Sequence, residues 1–182
     1  MARKQKSLSA AVSKEIQSKF DLNAFKNKKG LDKNIKFKDQ EWIPLSKAFQ
    51  DVTSVPGIPM GHIVLLRGHS DTGKTTAMIE AAVAAQKRNI LPVFIITEMK
   101  WNWEHAIQMG LDINITRDDD GEIIDYEGNF IYVDRETINS IEDVATFILD
   151  LMDEQKKGNL PYDLLFLWDS IGSVPCEMSL KS

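Results

Sequence analysis

The eight residues Gly68-His69-Ser70-Asp71-Thr72-Gly73-Lys74-Thr75 constrain this chain more than any other stretch. Glycines stand at their first and sixth positions, and lysine and threonine close them, the pattern of a phosphate-binding loop. The flanks agree with that reading. Ile63, Val64, Leu65 and Leu66 lead in as a run of strand formers. An alanine-dense segment follows from Thr75 to Arg88, with Ile79, Ala82, Val83 and Gln86 at helical spacing. Strand, loop and helix in that order make an anion cradle. Gly68 and Gly73 remove side chains where the backbone must wrap a phosphate. The N–H groups of His69, Ser70, Asp71 and Thr72 line the nest, and the helix that follows adds the positive end of its dipole. Lys74 supplies a full charge for the β- and γ-phosphates. Thr75 offers a hydroxyl to magnesium, and Thr76 counts with the same site. The expected ligands are ATP and Mg2+.

The rest of the chain alternates strands and helices. Strands are expected over 92–97, 130–133 and 164–168, the last apolar throughout as a strand buried on both faces would be. Helices are expected over 101–109 and after Ser140, where Asp143 stands three residues on as a capping box. The apolar face of that second helix is Ile141, Val144, Ile148, Leu151 and Met152. This alternation predicts an α/β fold, a parallel sheet flanked by helices. Residues 56–61 read as a rigid turn, 27–30 as a linker, and 10–20 as a short helix. Ile123 and Ile124, between turn signals at Gly121 and Gly128, read as a small exposed hairpin. The acidic triplet Asp118, Asp119 and Asp120 does not make an EF-hand, because Thr116 stands where the first ligand belongs, and a solvated loop is expected.

Two carboxylates fall at strand ends. Asp169 follows the strand over 164–168, and Glu98 follows the strand over 92–97. Ligands of open parallel sheets bind beyond such carboxyl ends. Asp169 there can hold magnesium, with Ser170 in support, and Glu98 can orient or deprotonate an attacking water. Trp101, Trp103 and His105 follow; one of them stacking on adenine competes with simple packing.

Composition bounds the setting. The 182 residues are 43% hydrophobic and 27% charged, as in ordinary globular proteins. No apolar run has the length of a membrane span. The one cysteine, Cys176, cannot form an internal disulfide, which suits a cytoplasmic setting. The net charge of −5 conceals an asymmetry: residues 1–40 carry 11 basic against 4 acidic side chains, and residues 41–182 carry 11 against 23. A basic arm at 1–40 in front of an acidic domain at 41–182 suggests either nucleic-acid contact or a solvated tail.

These residues resemble a known family. Ile58-Pro59-Met60-Gly61-His62-Ile63-Val64, then the loop with Lys74-Thr75-Thr76, is similar to the start of the RecA ATPase core. Glu98, Ala106 and the turn at Met109-Gly110-Leu111-Asp112 resemble the segment that carries that family's catalytic glutamate. Trp168-Asp169-Ser170 resembles its Walker-B strand. The basic arm, with Ser18-Lys19-Phe20 and Ile43-Pro44-Leu45, looks more like the recombinases of large bacteriophages, the UvsX kind. The resemblance implies a P-loop NTPase core and ATP-dependent filaments on single-stranded DNA, acting in recombination and repair. It implies Glu98 as the catalytic glutamate, with Lys74. Asn102 and His105 fall where the family contacts adenine, usually through Asp and Tyr. The arm resembles a subunit-to-subunit linker, so a homo-oligomer is expected and a membrane is not. The family continues beyond the point matching Ser182 with DNA-binding loops and more strands, so the resemblance implies a core incomplete on its C-terminal side. A replicative hexameric helicase of the DnaB kind shares the fold and resembles Thr97-Glu98-Met99, and a nucleotide-binding module without turnover is the third alternative.

Overall fold

The computed structural model describes residues 20–30, 39–98 and 101–180. The chain divides into two units, Met1–Asp39 and Gln40–Ser182. In the first, helix α1 (Leu22–Lys29) is capped by the Asp21 carboxylate, which accepts from the Ala24 N–H, and ends at Gly30 in the left-handed region. Asn27, Lys28 and Lys29, expected in a linker, are instead its last turn. Three lysines there complement the negative end of the helix dipole. The helix expected over 10–20 lies, but for Phe20, outside the described residues.

The second unit is built on strand β3 (Ile90–Ile96), buried at every residue. β3 pairs in parallel with β6 (Ile131–Asp134) on one side and β7 (Asp163–Asp169) on the other. Its side chains alternate between two cores. Phe94 and Ile96 face helix α3 (Lys74–Gln86), whose Met78, Ile79, Ala82 and Val83 are buried with them. Val93 and Ile95 face the opposite layer, where Val144, Phe147, Ile148 and Leu151 of helix α5 (Ile141–Lys157) pack. Each fully buried Phe, Ile, Val or Met side chain among them contributes roughly 1.5–3 kcal/mol. Ser140 and Asp143 form the expected capping box on α5: Asp143 N–H donates to Ser140 Oγ at 3.1 Å, and Ser140 N–H to Asp143 Oδ2 at 2.9 Å. Of the expected apolar face of α5, Ile141 and Met152 are partly exposed.

Three expectations need correction. Ile63, Val64, Leu65 and Leu66 form no strand, and all four are exposed, Ile63 fully and Leu65 at 70%. A strand needs a ladder partner as well as strand-forming side chains, and among the described residues the second edge of β7 pairs with nothing. For the same reason β7 is covered on both faces only in part: Leu165 and Leu167 pack in one core and Phe166 and Trp168 in the other, but only Leu167 is fully buried. Residues 56–61 are not simply a turn. Strand β2 (Gly57–Pro59) pairs antiparallel with β1 (Trp42–Pro44), the two flanking helix α2 (Lys47–Thr53) in sequence. Gly57 is obligatory at that crossing, since a Cβ would lie 2.0 Å from the Ile43 carbonyl oxygen.

Helix α4 (Trp103–Gln108) follows β3, and the hairpin β4 (Ile113–Arg117) with β5 (Ile123–Gly128) forms a separate two-stranded sheet. The hairpin is longer than the one expected around Ile123. A short 3-10 turn (Ile171–Ser173) and helix α6 (Glu177–Leu180) follow β7. No helix among the described residues is long and apolar enough to cross a membrane.

Candidate functional site

The parallel register places Ile96 opposite Asp169, so β3 and β7 end side by side. The main chain continues that pairing past the strand: the N–H groups of Thr97 and Glu98 donate to the Asp169 carbonyl at 2.8 and 3.2 Å. Glu98 and Asp169 thereby emerge as neighbours at the carboxyl edge of the sheet.

Beneath them lies a polar knot that the sequence does not announce. Thr97 is 1% exposed. Its hydroxyl accepts from the Trp168 indole N–H at 3.0 Å and donates to the Ser170 carbonyl at 2.9 Å. Ser173 Oγ lies 2.6 Å from Thr97 Oγ1 and 2.6 Å from the Ser170 carbonyl. A hydroxyl has one proton and two lone pairs, so Thr97 is fully used. Ser170 then donates its own hydroxyl to Glu98 Oε1 at 2.6 Å, fixing one carboxylate oxygen. The one available sequence signal is a threonine closing a wholly apolar strand, since a buried hydroxyl requires partners.

The glycine-rich loop meets this edge from the other side. Gly73 (φ 85°) and Asp71 (φ 60°) both take left-handed backbone angles, and Gly73 is the N-cap of α3. At Gly68 a Cβ would come within 2.9 Å of Thr72 Oγ1. Thr72 donates to the His69 carbonyl at 2.8 Å, closing the loop on itself. Lys74 Nζ donates to the carbonyls of Gly68 and His69 at 3.1 and 2.6 Å. Thr75 Oγ1 donates to Asp169 Oδ2 at 2.7 Å, across 94 residues of sequence.

The remaining expected residues fall into two groups. His105 reaches the start of α3, its Nε2 lying 3.3 Å from Thr76 Oγ1. Asn102 serves as the N-cap of α4, its side chain accepting from the His105 N–H at 2.9 Å. Trp101 and Trp103 pack edge-on at 5.3 Å within an aromatic cluster that includes Phe94 and Tyr132. Asp118 spends its carboxylate on its own turn, accepting from the N–H groups of Asp120 and Glu122. Among the described residues no group of three or more His, Cys, Asp or Glu side chains is placed to hold a metal. The pair Thr75 and Asp169, one hydroxyl touching one carboxylate, suits a different kind of site. Magnesium keeps several waters and takes few protein oxygens beside the phosphates it bridges, and these two oxygens fit that demand.

Residues 6–142 match the RecA N-terminal domain family. The chain belongs to the RecA family. The matched stretch contains the loop at 68–75, Glu98, Asn102 and His105, and stops short of Asp169. Among curated relatives, the Protein RecA of Aquifex aeolicus (strain VF5) is 32% identical over 126 residues, which are 67% of this chain and 35% of the relative. The Protein RecA of Aquifex pyrophilus is 32% identical over the same length, and that of Nitrobacter winogradskyi is 33% identical over 123 residues. This RecA-family chain spans about a third of the length of these relatives. No solved structure matches it.

Proposed function

We propose that this chain carries the ATP site of a RecA-type recombinase, binding ATP with magnesium and hydrolysing it in homologous recombination and repair. The observation that supports this reading most is the 2.7 Å contact between Thr75 and Asp169, with Glu98, just past the end of the adjoining strand, donating its N–H to the Asp169 carbonyl. The glycine-rich loop, the hydroxyl and both carboxylates thus converge from three elements distant in sequence.

In this reading the backbone N–H groups of residues 68–73 and the N-terminus of α3 receive the phosphates. Lys74 exchanges its loop carbonyls for phosphate oxygens. Thr75 and Asp169 would hold magnesium, which when bound neutralises charge on the phosphates. Glu98 orients a water for in-line attack on the γ-phosphate and accepts its proton, and Ser170 keeps the carboxylate aimed. His105, near Thr76, contacts adenine in this reading, with Asn102, the cap of its helix, beside it. Kinship supports single-stranded DNA as a partner, a homo-oligomeric filament joined through the basic arm, and a cytoplasmic setting. The resemblance of that arm supports the bacteriophage UvsX kind.

A second reading, nucleotide binding without turnover, is favoured by one observation. The residues leading into the loop, 63–66, are exposed and unpaired among the described residues, so the loop has no sheet anchor on that side.

Phosphate release, measured with and without single-stranded DNA, separates the two. The recombinase reading expects release from the wild-type chain, loss of ATP binding in Lys74→Ala, and in Glu98→Gln retained binding with release lowered about a hundredfold or more. Wild-type release no higher than in Lys74→Ala, with ATP still bound by the wild type, establishes the second reading. Absence of ATP binding contradicts both.

A further inference from the structure

A cavity unrelated to the glycine-rich loop opens between the hairpin and the sheet. It has a volume of about 460 Å³. Its walls include three aromatic rings, Trp103 of α4, Tyr126 of β5 and Tyr132 of β6, and three carboxylates, Asp125, Asp134 and Glu136. The rings form a tight group, with Trp103 5.0 Å from each tyrosine and the tyrosines 6.1 Å apart. This geometry is held from outside the cavity. Arg117 of β4 pairs with Glu104 of α4, tying the hairpin to the helix that carries Trp103. The phenol of Tyr132 is pushed up to about 12 by its burial and by the Asp134 carboxylate, and that of Tyr126 is raised by burial and by Asp134 and Asp125. The carboxylates therefore act on the same rings that line the wall.

None of the three carboxylates has a lysine or arginine within ion-pair distance among the described residues. Arg135, between two of them in sequence, does not line the cavity. Asp125 and Asp134 each accept one main-chain N–H and otherwise keep their charge without a cation; such carboxylates beside tryptophan and tyrosine rings make a wall that attracts cations twice over, by charge and by ring quadrupole. An anion such as a nucleic-acid backbone is repelled by it. A small hydrated ion has no use for the rings. The chemistry that uses both parts is a lysine or arginine head on an apolar stem.

We propose that the cradle formed by Trp103, Tyr126, Tyr132, Asp125, Asp134 and Glu136 is a docking site for a lysine- or arginine-bearing segment of a partner polypeptide. It is independent of the nucleotide reading above, because it shares no residue with the loop, Glu98 or Asp169.

Tryptophan fluorescence of the whole chain, titrated with a short capped peptide of alternating lysine and serine, reads the site through Trp103. Saturable binding is expected at low salt, absent for the matching glutamate–serine peptide. Asp134→Asn with Glu136→Gln is expected to weaken it about tenfold, and Tyr126→Ala by a similar factor. Asp150→Asn with Asp153→Asn removes the same charge from α5 and is expected to leave it unchanged, as is Lys74→Ala. No saturable binding overturns the proposal. Equal weakening by the α5 pair also overturns it, since the peptide would then respond to net charge and not to the cradle. Unfolding curves of Tyr126→Ala, and the milder Tyr126→Phe, separate a lost contact from a lost fold: Tyr126→Phe keeps the ring and is expected to bind.

Discussion

The two sides of the candidate site are built on opposite principles. On the strand side, Glu98 lies two residues past the end of β3 and Asp169 ends β7, above a strand buried at every residue and a threonine hydroxyl used to capacity. On the loop side, residues 63–66 are apolar yet exposed, and the loop is held chiefly by its own contacts, by Thr75 and by His105. The carboxylates are preorganised, while the glycine-rich loop is joined to them through few bonds. A site of this kind fixes its acids in advance and leaves the loop to be completed by what binds there.

The sharpest way to break that contrast is to truncate one side chain from each region. Phe94→Ala is expected to destabilise by about 3–5 kcal/mol, because the ring is fully buried between α3 and the aromatic cluster. Leu65→Ser, an equally drastic change in hydrophobicity, is expected to stay within about 0.5 kcal/mol. Denaturant unfolding of both checks this, and comparable losses would show that residues 63–66 are packed. Next in size is Thr97→Val. It keeps the shape but leaves the Trp168 indole N–H without its acceptor, for an expected loss of about 1–3 kcal/mol, while the Ser170 carbonyl keeps the Ser173 hydroxyl. Thr97→Ser is expected to restore most of it, so equal losses in the two variants would mean that the methyl, not the hydroxyl, matters.

The smallest effect concerns the cap of α5. The Asn139 N–H and the Ser140 group hold the Asp143 carboxyl below its usual range. A depressed folded-state value means stability that is present above the unfolded value, near 3.8, and lost as pH falls through the folded one. Asp143→Asn is therefore expected to lower the melting temperature slightly at neutral pH, with the difference from wild type vanishing below that range. A difference that persists in acid would assign the effect to the amide's geometry instead of to charge.

Much of the strand side could be read from the residues alone. β3 is a run of seven apolar residues, and the capping box of α5 is confined to four consecutive residues, so local chemistry decides both. The loop's left-handed turn at Gly73 follows from its glycine in the same way. Non-local facts escaped. Ile63 to Leu66 has the composition of a buried strand, and only the absence of a paired neighbour among the described residues shows that it is exposed. The bond from Ser173 to Thr97 spans 76 residues, so neither residue signals the knot by itself. The short pair β1 and β2 was hidden by prolines at both strand ends, which look like turn residues until the register at Trp42 and Pro59 is seen.

The join between the two sides is the contact of Thr75 with Asp169, and one measurement addresses it directly. ATP affinity is to be titrated with and without magnesium for the wild type, Thr75→Val, Asp169→Asn and the double variant. If these two oxygens hold the metal together, magnesium tightens ATP binding in the wild type. Each single variant then loses that gain while retaining metal-free binding, and the double variant loses no more than either one. A magnesium gain that survives in Asp169→Asn would contradict the account, for the carboxylate would then support the strand edge and take no part in holding the nucleotide's metal.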